Sequence, residues 1–297
     1  MNKVRFIIVP DVHGRTFWRE SVYHYLQNTT DVNVIFLGDY VDPYGYEDIS
    51  REDAFCVLEE IIELKQRYND RVILLIGNHD FHYFNGNIGG CRKDMMRKED
   101  LRALYENNMD LFTYYYIEEI NGVKYLFSHA GFLNSWLYLE RGFIGIWEKL
   151  GGDLSDEHPV KQDIIDSINI DLIESINFKE VFNDREGRLS MNTIGHSRGG
   201  MDVGSFMWAD LTDHLGIDEE IKGCVQVFGH TQQENDPVHI GNCYCLDCRE
   251  CFYMFDNGIY RMVNGEYQAI PDVKEELLRK RKEAFEKYNK YLSAFIM

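Results

Sequence analysis

The chain has 297 residues, of which 44% are hydrophobic, and these values fit one sizeable packed domain with insertions. Its formal net charge of -19 repels nucleic acid and argues against a polyanion as the main partner. No stretch is long and apolar enough to predict a membrane span, and the first residues predict a strand rather than a signal peptide. Because seven cysteines do not resemble a disulfide framework, we expect a reducing compartment, the cytoplasm.

The N-terminal half alternates predicted strands and helices. Runs of β-branched and aromatic residues predict strands over residues 4–9, 32–37 and 72–76. Between the last two, apolar residues recur at helical spacing after Ser50, a predicted N-cap with Asp53 three residues on. Short connections between strand, helix and strand predict parallel pairing through right-handed crossovers.

The C-terminal half predicts a second sheet packed on the first. A hairpin is expected over 113–128, because its Asn121-Gly122 pair suits a type I′ turn. A buried-type strand follows at 224–228, and short strands near 238–240, 244–246, 252–255 and 259–263 predict a mostly antiparallel sheet. Residues 132–215 are interpreted as a helical insertion that covers the site, and 272–297 as a closing helix. Together these elements predict one two-sheet α/β domain over 1–297.

Five short motifs follow apolar runs in one order along the chain. Each places an Asp, Asn or His beside a glycine that lets the backbone come close. The motifs are Pro10-Asp11-Val12-His13-Gly14, Gly38-Asp39-Tyr40-Val41-Asp42, Gly77-Asn78-His79-Asp80, Ser128-His129-Ala130-Gly131 and Gly229-His230-Thr231. Because ligands collect outside the carboxyl ends of parallel strands, we expect the motifs to converge. Carboxylate, amide and imidazole groups on tight loops predict a two-metal hydrolytic site.

The first two motifs supply carboxylates. Asp11 and His13 are spaced to face one ion, although an isolated pair of this kind would equally be a helix cap and a surface histidine. Asp39 and Asp42 follow an apolar run, where two acids are unfavourable unless cations or hydrogen bonds stabilise them. We expect Asp39 to bridge two ions.

The later motifs supply an amide and imidazoles. Asn78 offers a carbonyl oxygen, and His79 is expected to protonate a leaving alkoxide with Asp42 as its orienting partner. A tight turn is the structural alternative for this motif. His129 and His230 end separate strands and are expected to bind metal. His196, in a similar Gly-His-Ser motif, ranks lower because no apolar strand precedes it.

These motifs resemble those of the calcineurin-like metallophosphoesterase superfamily, and within it the serine/threonine phosphoprotein phosphatase branch of bacterial and phage type. The resemblance covers roughly 1–131 and 222–265, and it implies an α/β/β/α two-sheet sandwich. It implies one metal held by Asp11, His13 and Asp39, and a second held by Asp39, Asn78, His129 and His230. It also implies that His79, oriented by Asp42, is the general acid and that a hydroxide bridging the metals attacks phosphorus. Two divalent ions are expected, manganese first, with Fe, Zn or Co as alternatives.

The chain departs from this branch after Asp42. The branch usually has an Arg-Gly pair there, whose arginine grips the phosphate, whereas this chain has Pro43-Tyr44-Gly45. Arg198 is the preferred replacement because flanking glycines allow close approach to an oxyanion, with Arg15 and Arg92 as other candidates. An exposed loop arginine is the alternative for Arg198. The expected substrate contacts are Arg198, Arg15 and Asn78.

Two smaller departures bear on the branch and on the site. Gly77-Asn78-His79 is followed by Asp80 rather than Glu, which we interpret as a small change. Gln232 stands where nuclease and phosphodiesterase branches usually carry a second histidine, and this favours the phosphatase-like branch.

Four cysteines near the C-terminal end allow a second interpretation. Cys243, Cys245, Cys248 and Cys251 offer four thiols that are able to bind a structural zinc. Alternation in Cys243-Tyr244-Cys245 places two of them on one face of a strand, which favours buried apolar packing instead.

The expected function is hydrolysis of a phosphomonoester, with a phosphorylated protein or a small phosphoester as substrate and no membrane partner. One alternative is a dinucleoside polyphosphate hydrolase of the diadenosine tetraphosphate type. An alternative of another class is a non-catalytic scaffold that retains the fold. A scaffold would be expected to lose a ligand or His79, and none is missing.

Overall fold

Two β-sheets face each other and carry helices on their outer sides. The computed structural model describes residues 3–84, 91–138, 168–216 and 219–296, with the side chains of the last helix described as far as Lys287. The first sheet has seven strands and the second has five. Because each loop of interest follows one of these strands, the strand order decides which side chains meet.

The first sheet combines parallel and antiparallel pairing. Its strands are β1 (Phe6–Val9), β2 (Asn33–Phe36), β3 (Val72–Leu75), β4 (Phe112–Thr113), β10 (Phe252–Phe255), β11 (Gly258–Val263) and β12 (Glu266–Ala269). The spatial order is β12-β11-β10-β1-β2-β3-β4. Strands β1 to β4 pair in parallel, as predicted for the N-terminal half, whereas β10, β11 and β12 pair antiparallel.

The second sheet is mixed. Its strands are β5 (Tyr116–Ile120), β6 (Val123–Phe127), β7 (Cys224–Phe228), β8 (Val238–Ile240) and β9 (Cys243–Cys245), in the order β5-β6-β7-β9-β8. The β5–β6 hairpin turns at Asn121-Gly122, both with positive φ, which confirms the predicted turn. Because β6, β7 and β9 pair in parallel, their carboxyl ends share one edge.

Nine α-helices lie within the described ranges. They are α1 (Arg19–Asn28), α2 (Arg51–Tyr68), α3 (Asn78–Phe84), α4 (Lys98–Asn107), α5 (Asn134–Tyr138), α6 (Ile170–Ser175), α7 (Phe178–Asn183), α8 (Arg185–Met191) and α9 (Lys274–Ile296). Helix α2 begins with the predicted cap: the Ser50 Oγ accepts from the Asp53 N–H at 3.0 Å, and the Asp53 carboxylate accepts from the Ser50 N–H at 3.2 Å. None of these helices combines the length and the apolar character that a bilayer crossing requires.

Side chains alternate between two faces of the first sheet and thereby fill two cores. Phe6 and Ile8 point to the second sheet and pack with Phe127 of β6. Ile7 and Val9 point the other way, into the core that contains the helix residues of α1 and α2. On the outer side of the second sheet, Leu277 of α9 packs against Phe228, Ile240 and Cys243. This layering confirms the predicted two-sheet α/β/β/α sandwich.

Two predictions about the second sheet are wrong. It is not mostly antiparallel, since β6–β7 and β7–β9 are parallel pairs. In addition, residues 252–255 and 259–263 belong to the first sheet, where Met254 pairs with Phe6 across the β1–β10 ladder. The physical reason is that the open edge of β1 carries backbone groups that need partners, and the β10–β11 hairpin supplies them.

The described part of the predicted insertion packs on the main core. Phe178, Phe206 and Met207 belong to the same buried cluster as the residues of α2. Residues 139–167 of the predicted insertion lie outside the described residues. The division into one domain over 1–297 with an insertion at 132–215 therefore stays a prediction.

Candidate active site

Five loops at the carboxyl ends of strands bring the predicted site residues together. Asp11, Asp39 and Asn78 follow β1, β2 and β3 of the first sheet, and His129 and His230 follow β6 and β7 of the second. All five side chains are buried. Both sheets therefore present their loops to one point, as expected from parallel pairing.

The backbone of these loops is unusual. His13, Asp39, Asp42 and His230 have φ values of 46°, 54°, 58° and 61°, in the left-handed region that residues with a Cβ rarely adopt. Such conformations are unfavourable by about 1–3 kcal/mol each and persist only where surrounding contacts fix them. The loops are therefore shaped to aim their side chains rather than to minimise local strain.

Two glycines allow carboxylates to approach the backbone. A Cβ added to Gly77 would lie 2.2 Å from the Asp39 Oδ1, and one added to Gly229 would lie 2.2 Å from the Asp11 Oδ1. Any side chain at these positions would push the carboxylate away. Gly77 therefore leaves room for the Asp39 carboxylate, and Gly229 leaves room for the Asp11 carboxylate.

One group of potential metal ligands gathers around His129. Its Nε2 lies 2.9 Å from the Asn78 Oδ1, 3.1 Å from the His230 Nδ1 and 3.5 Å from the Asp39 Oδ2. The Nδ1–H of His129 donates to the Leu37 carbonyl at 2.8 Å, which leaves the Nε2 lone pair facing the group. Four oxygen and nitrogen atoms that can bind a metal thus converge, an arrangement that a cation stabilises.

A second group shares Asp39. Ligand atoms of His13, Asp39 and His79 lie within 4.8 Å of one another. The His13 Nδ1–H donates to the Val41 carbonyl at 2.8 Å, and its Nε2 lies 3.5 Å from the Asp39 Oδ2. This is the same oxygen that faces His129. Asp39 therefore lies between the two groups and contacts a histidine of each.

Asp11 lies beside these groups rather than inside the closest trio. Its Oδ1 accepts the His230 N–H at 2.9 Å, and its charge contributes to raising the pKa of Asp39. The closest trio around His13 contains His79, which the sequence assigned to acid catalysis instead of metal binding. The structure thus brings all six predicted ligands to one site but leaves the role of each as a prediction.

Burial controls protonation in the site. It raises the pKa of Asp39 well above its usual range, and the charges of Asp11 and Asp80 add to the shift. Burial also lowers the pKa of His13 and His230 well below the usual value. Neutral imidazoles are the form that binds metal, and clustered carboxylates are unfavourable without a cation. The donor set therefore fits divalent ions.

His79 and Asp42 form a buried pair. The His79 Nδ1 lies 3.0 Å from the Asp42 Oδ2, while the other carboxylate oxygen accepts the Tyr83 hydroxyl at 2.7 Å and the Asp94 N–H at 3.0 Å. Burial alone would raise the pKa of Asp42, but hydrogen bonds from His79 and His82 outweigh it and hold the pKa well below its usual range. The carboxylate therefore stays ionised and fixes the orientation of the His79 ring.

Two candidate phosphate arginines are held by carboxylates. The Arg198 Nε lies 2.9 Å from the Asp210 Oδ2, and its Nη2 donates to the His230 carbonyl at 3.2 Å. The Arg15 Nε donates to Glu47 at 2.9 Å, and its Nη1 donates to the Asp11 carbonyl at 3.2 Å. Both guanidinium groups therefore touch the backbone of predicted metal ligands.

The third candidate, Arg92, is held differently. Its Nη2 donates to the Asp42 carbonyl at 3.0 Å, and its guanidinium lies 3.8 Å from the ring centroid of Tyr44. Among the described residues no carboxylate oxygen lies within 4 Å of its nitrogens. Arg92 therefore reaches the site with its charge less compensated than that of Arg198 or Arg15.

Asp80 has a larger part in the site than its sequence position suggested. Its Oδ2 accepts the N–H groups of Asp39 and Gly77 at 2.7 and 2.8 Å. Its Oδ1 accepts the Tyr40 N–H at 3.0 Å and the Tyr105 hydroxyl at 2.6 Å. The fully buried carboxyl thus joins the second and third motif loops. Only its placement inside a buried helix start could have signalled this role.

Tyr105→Phe is expected to lower the free energy of unfolding by about 1.5–3 kcal/mol when Asp80 is ionised, because a hydrogen bond to a charged group is lost. Burial raises the pKa of Asp80 to about 7, and the Tyr105 hydroxyl lowers it by favouring the charged form. The loss should therefore be larger at about pH 8.5 than at about pH 5.5. Urea unfolding of the metal-free protein at both values measures this.

Tyr267→Phe is the control for that variant. It removes a hydroxyl that pairs with the Tyr25 hydroxyl at an exposed position. This control should change stability little at either pH. Equal destabilisation by Tyr105→Phe at both pH values would contradict the assigned contact with ionised Asp80.

The alternatives to these site residues lie elsewhere. His196 is exposed, and its Nδ1–H donates to the Gly200 carbonyl at 3.2 Å. Cys243 and Cys245 are buried on one face of β9, and the Cys248 Sγ contacts Glu250. Across the described ranges, the groups of three or more potential metal ligands include none of these thiols. The buried apolar interpretation of the cysteines is therefore favoured over a zinc site.

Comparison with known proteins finds one matching family model and several similar solved structures. A family model described as calcineurin-like phosphoesterase matches residues 4–234. Among solved structures, a cold-active protein-tyrosine phosphatase of a psychrophile, Shewanella sp., is 16% identical, with 90% of this chain and 80% of that chain covered and a TM-score of 0.47. A serine/threonine phosphatase from Saccharomyces cerevisiae is 20% identical, with 45% and 40% covered and a TM-score of 0.29. A phosphoesterase from E. coli is 14% identical, with 42% and 56% covered and a TM-score of 0.26.

The match to the family model spans most of the chain and contains all five motifs. The α/β/β/α layering and the convergence of the motif loops agree with it. This chain belongs to the calcineurin-like phosphoesterase family.

Proposed function

We propose that this phosphoesterase hydrolyses phosphomonoesters with the help of two divalent metal ions, manganese first and Fe, Zn or Co as alternatives. One observation carries the proposal: the Asp39 Oδ2 lies 3.5 Å from the Nε2 atoms of both His13 and His129. A single carboxylate oxygen shared by two imidazole-lined positions is what a pair of adjacent ions requires.

The residues divide between two ion positions. Asp11, His13 and Asp39 would hold one ion, and Asp39, Asn78, His129 and His230 the other. When bound, the ions would lower the pKa of the attacking water and neutralise charge on the phosphate. The backbone fixes the ligand geometry: the Val41 and Leu37 carbonyls accept from His13 and His129, and the N–H groups of His79 and His230 donate to Asp39 and Asp11.

His79 supplies the proton to the leaving ester oxygen. Its Nδ1 is held by Asp42, so only the Nε2 can face the substrate. Burial lowers the pKa of His79 below its usual value, and the contact with Asp42 opposes part of that lowering by favouring the protonated ring. Arg198 and Arg15, together with Asn78, are proposed contacts for the phosphate oxygens, and Arg92 is a third arginine at the rim.

The substrate is proposed to be a phosphorylated protein or a small phosphoester. A dinucleoside polyphosphate is the second candidate, favoured by the stacked rings of Tyr44 and Tyr46 beside His13. A non-catalytic scaffold is not favoured, because the six predicted ligands and His79 are all gathered in the fold. We place the reaction in the cytoplasm, which the seven free cysteines support.

A metal-reconstitution assay tests this function. Protein stripped with a chelator should not hydrolyse a phosphoserine peptide, para-nitrophenyl phosphate or diadenosine tetraphosphate. Adding manganese should restore hydrolysis of a monoester, with about two ions bound per chain by elemental analysis. Stripped protein that retains full activity, or reconstituted protein that binds ions but hydrolyses none of the three substrates, would contradict the proposal.

A further inference from the structure

The loop that follows Asp42 carries two tyrosines with stacked rings. The Tyr44 ring is half-buried and turned edge-on to the His13 ring, with 5.1 Å between centroids and an interplanar angle of 73°. Tyr46 stacks on Tyr44 at 5.3 Å and 29°, and its side chain is 70% exposed. We call these two rings the tyrosine platform. It leads from a predicted metal ligand out to solvent.

Two arginines hold the tyrosine platform in place. The Arg92 guanidinium lies 3.8 Å from the Tyr44 centroid, so it covers that ring. The Arg249 Nη2 donates to the Tyr46 hydroxyl at 3.0 Å and lies 3.4 Å from Glu47. Arg249 itself has a φ of 64°, a strained value for this residue type. An exposed ring fixed in this way loses little freedom when a ligand stacks on it.

Arginine side chains cluster around the tyrosine platform, although the protein as a whole is acidic. The formal net charge is -19, yet Arg15, Arg92 and Arg249 all contact this loop. Glu47 pairs with Arg15 and Arg249, whereas Arg92 has no carboxylate partner within 4 Å among the described residues. A flat aromatic surface beside guanidinium groups matches a ligand that is both planar and anionic.

We infer that the tyrosine platform binds the base of a nucleoside phosphate whose phosphate lies at the predicted metal ligands. This inference rests on the proposed function and names its substrate class. An aryl ester has one oxygen between ring and phosphorus, so its ring would stop near Tyr44 and His13. A nucleoside phosphate has a sugar between base and phosphorus, which gives the reach to Tyr46, two ring spacings away from His13. A phosphoserine side chain offers no ring to stack.

Adenosine 5′-monophosphate and ribose 5-phosphate form a matched pair for the test, because they share the sugar and the ester oxygen and differ in the base. The expected kcat/KM of the manganese-loaded enzyme is about 10-fold higher for the nucleotide, the effect of one stacked base. Tyr46→Ala should bring the ratio close to one. Tyr46→Phe, which keeps the ring and loses the hydroxyl, should keep most of the preference.

Phe285→Ala is the matched control, since Phe285 is a comparably exposed aromatic residue on α9, 65% exposed. It should leave the ratio unchanged. Equal use of both substrates by the wild type, or a ratio that survives Tyr46→Ala, overturns the inference. So does a Tyr46→Ala variant that loses activity on phenyl phosphate but not on the nucleotide.

Failure of the proposed function would be recognised separately. If adenosine 5′-monophosphate, ribose 5-phosphate, a phosphoserine peptide and para-nitrophenyl phosphate are all left intact with each of the four metals, the phosphomonoesterase proposal fails. Calorimetric binding of the two sugar phosphates then still decides the inference. The nucleotide should bind about 10-fold more tightly than ribose 5-phosphate to the wild type and equally to Tyr46→Ala.

Discussion

His79→Asn is expected to lower kcat on a phosphoserine peptide by about 100- to 10,000-fold, the usual contribution of general acid catalysis. The reason is that an alkoxide leaves poorly without a proton, and His79 is held by Asp42 with only its Nε2 available. An asparagine amide can keep the contact to Asp42 but cannot deliver a proton. Hydrolysis of para-nitrophenyl phosphate should fall much less, because its leaving group needs little protonation.

Metal content decides between the two roles that geometry allows for His79. Its ring belongs to the trio with His13 and Asp39, so a ligand role predicts loss of an ion in the variant. Acid catalysis predicts unchanged metal by elemental analysis and a selective loss on the alkyl ester. His24→Asn, at an exposed position on α1, is the control. Equal losses on both substrates, or unchanged turnover, would remove His79 from its proposed role.

Asp39→Asn is expected to lower kcat by about 1000-fold or more and to make the metal-free protein more stable. Burial and the charges of Asp11 and Asp80 raise the pKa of Asp39, so the folded metal-free protein favours the neutral form. Ionisation of Asp39 therefore lowers the stability of the metal-free protein more and more as the pH rises above the pKa that Asp39 has in the unfolded chain. Asparagine removes that charge, and its carbonyl oxygen can still accept the His79 N–H that Asp39 accepts at 2.8 Å.

Thermal unfolding with and without manganese measures both halves of this prediction. Wild-type protein should gain stability from manganese, since an ion that binds only the folded state shifts the equilibrium. The Asp39→Asn variant should melt above the metal-free wild type at neutral pH and gain little from the ion. Asp48→Asn, at an exposed acid in the same loop between β2 and α2, is the matched control. A variant that keeps the full manganese-dependent gain would show that Asp39 does not bridge the ions.

The site was more predictable from the sequence than its supporting contacts. Asp11, Asp39 and Asn78 each follow an apolar run and stand beside a glycine, so a local pattern marks them. Their convergence follows from parallel pairing, which short strand and helix alternation already indicates. Asp80 could not be understood locally, because its partners include Tyr105, which lies on another helix. Its role depends on contacts with residues that are distant in the sequence.

The fold was predictable in its layers but not in its edges. Strands β1, β2 and β3 were recognisable because both of their faces are buried and their runs are continuously apolar. The strand Phe252–Phe255 is also buried on both faces, yet nothing in its residues states whether it extends the first or the second sheet. That choice is made by the free edge of β1, a property of the assembled sheet.

The ligand group around His129 draws on both layers of the sandwich, since Asp39 and Asn78 come from one sheet and His129 and His230 from the other. An ion held there would link the two sheets. Sliding one sheet over the other would first require that ion to dissociate. The lifetime of the native state in dilute chelator would therefore depend on the dissociation rate of the ion.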